Sequence, residues 1–124
     1  MTALLWIAAL SLALVATAHA ARAQALRPGD LVSPTRDTAL CPDAQTPVKA
    51  KELRATDPDG AAHVIDLGHC SAVFSRETER ELGAAPATFH YLQPGPNGTV
   101  LIKEDAGSIH GTGYALADDF RSGS

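Results

Sequence analysis

The apolar positions of this chain begin with a single block. From Leu4 to Ala18 every residue is apolar or small, with Ser11 and Thr17 the only hydroxyls. The block is short and alanine-rich for a spanning helix, which needs roughly 20 apolar residues, and it has the character of a signal-peptide core. It runs into two small-x-small sites, Ala18-His19-Ala20 and Ala21-Arg22-Ala23, so cleavage is expected after Ala20 or Ala23. Residues 1–23 therefore read as an export signal. One element of the pattern is missing, because no Lys or Arg precedes the block and the terminal amine alone supplies the orienting charge. Left uncleaved, the same segment would tether the domain to a membrane.

After the signal, turn-forming residues interrupt the chain often: Pro28-Gly29, Pro34, Pro42, Pro47, Asp57-Pro58-Asp59-Gly60, Gly83, Pro86, Pro94-Gly95-Pro96-Asn97-Gly98, Gly107, Gly111 and Gly113. The stretches between them are short and carry Val, Ile, Thr, Phe and Tyr, which suits strands joined by tight turns better than long helices. The predicted fold is mostly β: a small barrel or roll of short antiparallel strands with one short helix. It occupies residues 24–117 as a single domain, with 118–124 as a frayed tail.

Two hairpins stand out. Thr88–Leu92 and Thr99–Lys103 flank the turn-rich Gln93–Gly98. Val48–Thr56 and Ala61–Leu67 flank Asp57–Gly60, where Pro58 presets φ and Gly60 can take the left-handed conformation. Ser108–His110 and Tyr114–Leu116 continue the meander, with Gly111 and Gly113 marking a bulge or bend. The short helix falls at about residues 75–82. Ser75 is its N-cap, acidic residues fill its first turn, Glu77 faces Arg80, and Gly83 stops it. Val73, Phe74 and Leu82 are its expected anchors to the core.

Composition narrows the function. The chain has 124 residues and a formal net charge of −4 at pH 7. Its cations are scattered, and the tightest group, Lys49, Lys51 and Arg54, is broken by Glu52. With three Phe, two Tyr and one Trp, and that Trp inside the signal, neither a phosphate backbone nor unstacked bases are expected ligands. The two cysteines, Cys41 and Cys70, read as one disulfide in an exported domain of this size.

Three constellations carry candidate chemistry. His63, His69, His90 and His110, with Cys70, are the right donor types for zinc or copper, but no pair has the short spacing of a metal clamp, and a disulfide would consume the thiolate. Gly68-His69-Cys70-Ser71-Ala72-Val73-Phe74, with Arg27-Pro28-Gly29-Asp30-Leu31-Val32 upstream and His63 or His90 as base, resembles pieces of papain-like cell-wall peptidases of the NlpC/P60 type. The resemblance covers about a dozen residues and implies a Cys70 nucleophile, although that family places its Pro-Gly-Asp strand after the cysteine rather than before it. Ile109–Tyr114 has glycines that let a backbone approach closely, but no helix follows to complete a phosphate loop. Asn97-Gly98-Thr99 matches a glycosylation acceptor and also the geometry of a hairpin turn. Glu104-Asp105 and Asp118-Asp119 are sequence neighbours, so alternation points their carboxylates to opposite sides of a strand.

The sequence thus describes an exported, disulfide-stapled β domain, periplasmic or extracellular. It is expected to act as a non-enzymatic binding or accessory module without a cofactor. A protein, a cell-wall polymer or a small ligand is its expected partner. The alternatives are a histidine-based metal-binding protein and a papain-like hydrolase using Cys70.

Overall fold

The computed structural model describes residues 26–106 and 109–123; the predicted signal lies outside them. Seven strands and three α-helices follow in the order β1 (Leu31–Pro34), β2 (Thr38–Leu40), α1 (Gln45–Arg54), α2 (Pro58–Leu67), β3 (Ser71–Val73), α3 (Arg76–Leu82), β4 (Thr88–Pro94), β5 (Thr99–Ala106), β6 (Ile109–Leu116) and β7 (Phe120–Ser122). Five strands form an antiparallel sheet in the order β6-β5-β4-β1-β7, and β2 and β3 pair as a separate ribbon. The antiparallel, sheet-rich character expected from the sequence is present. A closed barrel is not, because β6 and β7 end the large sheet on opposite sides. The described residues are also more helical than mostly β, with 35% helix against 38% strand.

The difference lies in the β-hairpin expected over residues 48–67, which folds as a helical hairpin spanning Gln45–Arg54 and Pro58–Leu67. Asp57-Pro58-Asp59-Gly60 is not a turn between strands but the start of a helix. The Asp57 carboxylate accepts the Gly60 N–H at 3.0 Å, Pro58 takes the first helical position, and Asp59 lies in the first turn. α1 begins in a similar way. The Asp43 carboxylate accepts from the Gln45 and Thr46 N–H groups, and after Val48 the helix runs Lys-Ala-Lys-Glu-Leu-Arg, good helix formers without β-branches.

Elsewhere the predicted hairpin and short helix form close to where they were placed. β4 and β5 are joined through Gly95–Gly98, with Asn97 and Gly98 both at positive φ. In α3 the Ser75 hydroxyl accepts the Thr78 N–H and Gly83 adopts the left-handed conformation. No bulge interrupts β6, whose pairing with β5 runs in register from Thr99 opposite Leu116 to Ala106 opposite Ile109. The register shift falls instead between Tyr91 and Gln93 in β4. Gly113 has a different use: a Cβ there would lie 2.8 Å from the Leu40 Cβ and 3.1 Å from the Cys41 nitrogen. Its bare backbone lets the end of β2 approach β6, where Cys41 and Tyr114 exchange backbone hydrogen bonds of 2.9 and 2.7 Å.

Val32, Leu40, Val73, Phe89, Val100, Ile102 and Ala115 form the buried core, and Phe120 packs edge-on to Phe89 with ring centroids 5.7 Å apart. Residues 118–122 are therefore not a frayed tail. β7 pairs with β1, and buried Asp119 accepts from the Thr38 hydroxyl at 2.7 Å and pairs with Arg36 at 3.3 Å.

Candidate functional site

Cys41 and Cys70 form a disulfide across a sequence separation of 29. Cys41 follows β2 directly and Cys70 directly precedes β3, so the bond closes the base of the helical hairpin that lies between them. Both described thiols are consumed, which removes the Cys70 nucleophile that the resemblance to papain-like peptidases implied. Cys70 also leads into a strand, not into the helix that would lower a thiol pKa.

The four candidate metal donors do not converge. His63 is an exposed residue of α2, and His69 is exposed at positive φ in the turn that follows. His90 and His110 lie on the sheet, brought together by Asp105 rather than by a metal. His110 Nδ1–H donates to Asp105 Oδ1 at 2.5 Å, and His90 Nε2 lies 3.6 Å from Oδ2. Among the described residues no cluster of histidine, cysteine or carboxylate side chains has the geometry to hold a metal ion. The alternation argument separated His90 from Phe89 correctly, but the convergence on Asp105 required the β4–β5–β6 register.

The groove over the helical hairpin was not legible in the sequence. Small residues face inward there: Pro47 and Ala50 of α1 and Ala61 of α2 are all buried. Side chains this short bring the hairpin onto the sheet without filling the space beneath it. A groove of about 250 Å³ remains, lined by those residues together with Ala39 of β2, Leu116 of β6 and Ile65 of α2. Exposed Arg54, the last residue of α1, also lines it and makes no ion pair with any described residue. The apolar wall with one guanidinium is suited to holding an apolar body and orienting an anionic end. The disulfide closes the hairpin base, and Lys51 of α1 pairs with Asp118, between β6 and β7, at 3.6 Å.

A smaller pocket of about 170 Å³ lies at the other side of the core, lined by Ala72, Phe74, Ala85 and Ala106 with Glu79 and Glu104. Glu79 is buried and satisfied, accepting from Arg76 Nη1 and from the Ala87 N–H, each at 3.0 Å. Burial first, and then the neighbouring Glu79 charge, raise the Glu104 carboxyl above its ordinary value of 4.5. Asp105, next along β5 and on the opposite face, moves the other way. The His110 hydrogen bond holds it below 3.8, assisted by the charges of Lys103, His110 and His90.

Compared with protein-family models, curated proteins and solved structures, the chain matches none. Among the described residues no helix is long and apolar enough to cross a membrane.

Proposed function

We propose that this protein is an exported, non-enzymatic binding module that holds a small amphiphilic anion in the groove between its helical hairpin and its sheet. The observation that carries this reading is the alanine- and proline-lined groove with Arg54 as its one charged lining residue. An apolar concavity with a sparse, oriented polar group is the usual form of a small-ligand site. The signal-like start of the chain and the disulfide both favour an oxidising, extracytoplasmic setting.

The test is titration with hexanoate, followed by amide chemical shifts. Saturable shifts are expected at Ala50, Ala61 and Leu116. Hexanol, which lacks the charge, is expected to bind about tenfold more weakly, and Arg54→Gln to remove that difference. Ala62→Leu, placed on an exposed groove residue, should block both ligands. Equal affinity for acid and alcohol, or shifts that spread over the sheet face and spare the groove, would refute the reading.

A further inference from the structure

The face of the sheet turned away from the core carries a second arrangement, independent of the groove. His90 of β4 pairs directly with Lys103 of β5, and Asp105 of β5 with His110 of β6, so four chemically active side chains occupy neighbouring positions on three adjacent strands. We propose that this patch is an acid-gated binding site for an extended polyanion, held most tightly when His90 and His110 have taken up protons.

The argument rests on which nitrogen of each ring is already committed. The Gly29 carbonyl can only accept, so His90 Nδ1 carries the proton in their 3.2 Å hydrogen bond. The carboxylate of Asp105 imposes the same state on His110 Nδ1. In both residues Nε2 is therefore the nitrogen that titrates. A neutral His90 turns the Nε2 lone pair toward Asp105 Oδ2, 3.6 Å away, whereas a protonated one places a charged donor there. His110 Nε2 has no partner among the described residues, and its side chain is 62% exposed.

Charge balance then sets the gate. While both rings are neutral, the Asp105 carboxylate is matched by one ammonium, that of Lys103 at 4.0 Å. With both protonated, the same carboxylate faces three cations. It is not lost first, because those donors hold its carboxyl below the ordinary range. Imidazole is the side chain suited to such a switch in mild acid, and protonation of both rings turns a balanced patch into a cationic one.

Among the described residues, the directly paired positions add no further charge. β1 contributes Leu31 beside His90, β6 contributes Thr112 opposite Lys103, and β4 contributes Thr88 opposite Asp105. In the turn before β1, the Asp30 carboxylate accepts the Arg27 N–H, and Arg121 of β7 lies two strands from His90. The shape selects the ligand. The donors lie on a sheet face, spread over three strands spaced about 4.8 Å apart, which fits anionic groups repeated along a chain better than a single enclosed ion.

Binding of inorganic polyphosphate and of poly-glutamate at low salt, at about pH 5.5 and about pH 8, tests the proposal and separates phosphate from carboxylate recognition. At least one polymer is expected to bind about tenfold more tightly in acid, with amide shifts centred on His90, Lys103, His110 and Thr112. The double variant His90→Gln/His110→Gln should lose the gain in acid, and His63→Gln/His69→Gln should keep it. Lys103→Gln should weaken binding at both pH values. The proposal is overturned if neither polymer binds in acid, if affinity is unchanged at the higher pH, or if both double variants behave alike, since the last would report only the charge of the whole molecule.

Discussion

Glu79 is the residue whose role departs most from its type. It belongs to a helix with mostly charged, exposed side chains, yet it is 6% exposed while Leu82, expected to anchor that helix, is 61% exposed. α3 is attached by a polar clasp. Glu79 receives the Arg76 guanidinium and the Ala87 N–H, and Arg76 Nη1 also donates to the Ala87 carbonyl at 2.7 Å. Glu79→Ala strips the acceptor from the part-buried Ala87 N–H and the carboxylate from Arg76, which should cost roughly 1–3 kcal/mol, read as a lower urea midpoint at unchanged slope. Glu79→Gln, which keeps an acceptor, should recover part of that loss. No local pattern announces this clasp, because its second half comes from Ala87, eight residues away in a loop.

At the scale of elements, the helical hairpin is the part most dependent on covalent help. Its inward residues are mostly small, so the apolar area it buries per residue is modest, and Leu67 remains 64% exposed. Joining Cys41 to Cys70 constrains the unfolded chain around it. In the chain-entropy model a loop of this length is worth about 3–4 kcal/mol. Cys41→Ser/Cys70→Ser should lower stability by up to that amount, and hydrogen exchange should show the loss first in α1 and α2, with β4 and β5 protected longest. The disulfide itself was readable from cysteine number and the signal-like start of the chain. The hairpin's helicity has a local signal too, because Asp57-Pro58 fits an N-cap followed by proline at the first helical position as well as it fits a turn. β7 was obscured for another reason. Phe120–Ser122 is three residues long, and its pairing with β1 joins segments about 90 residues apart, beyond the reach of any local signal. The groove and the Asp105 cluster share that limit. One is space left between elements, and the other is a product of strand register.

For the whole molecule, opposed carboxyl shifts give stability a definite pH profile. Asp37 is held below 3.8 chiefly by the Ser75 N–H and the Thr78 hydroxyl, Asp43 by the Thr46 N–H and hydroxyl, and Asp105 by His110. Each binds its proton less readily when folded than when unfolded. The stability they confer is present above their unfolded values and is lost as pH falls through the lower folded ones. Glu104 has the opposite sign. Its folded carboxyl is raised, so ionising it in place opposes folding, and stability recovers as pH falls from neutral through the folded value toward 4.5. Together these directions favour a stability maximum on the acid side of neutrality, with a loss as pH falls below the ordinary aspartate range. Melting temperature measured from about pH 2 to 8 should show that maximum. Glu104→Gln should stabilise the protein near neutral pH, by no more than about 1 kcal/mol because solvent screens a partly exposed group, and should flatten the limb between neutral and the maximum. Asp37→Asn should leave that limb in place and soften the acid one, because its carboxylate holds the start of α3 through Ser75 and Thr78. A profile that falls steadily from neutral to acid in both the parent and the Glu104→Gln variant would remove Glu104 as an opposing charge and leave the aspartates as the only source of pH dependence among these groups.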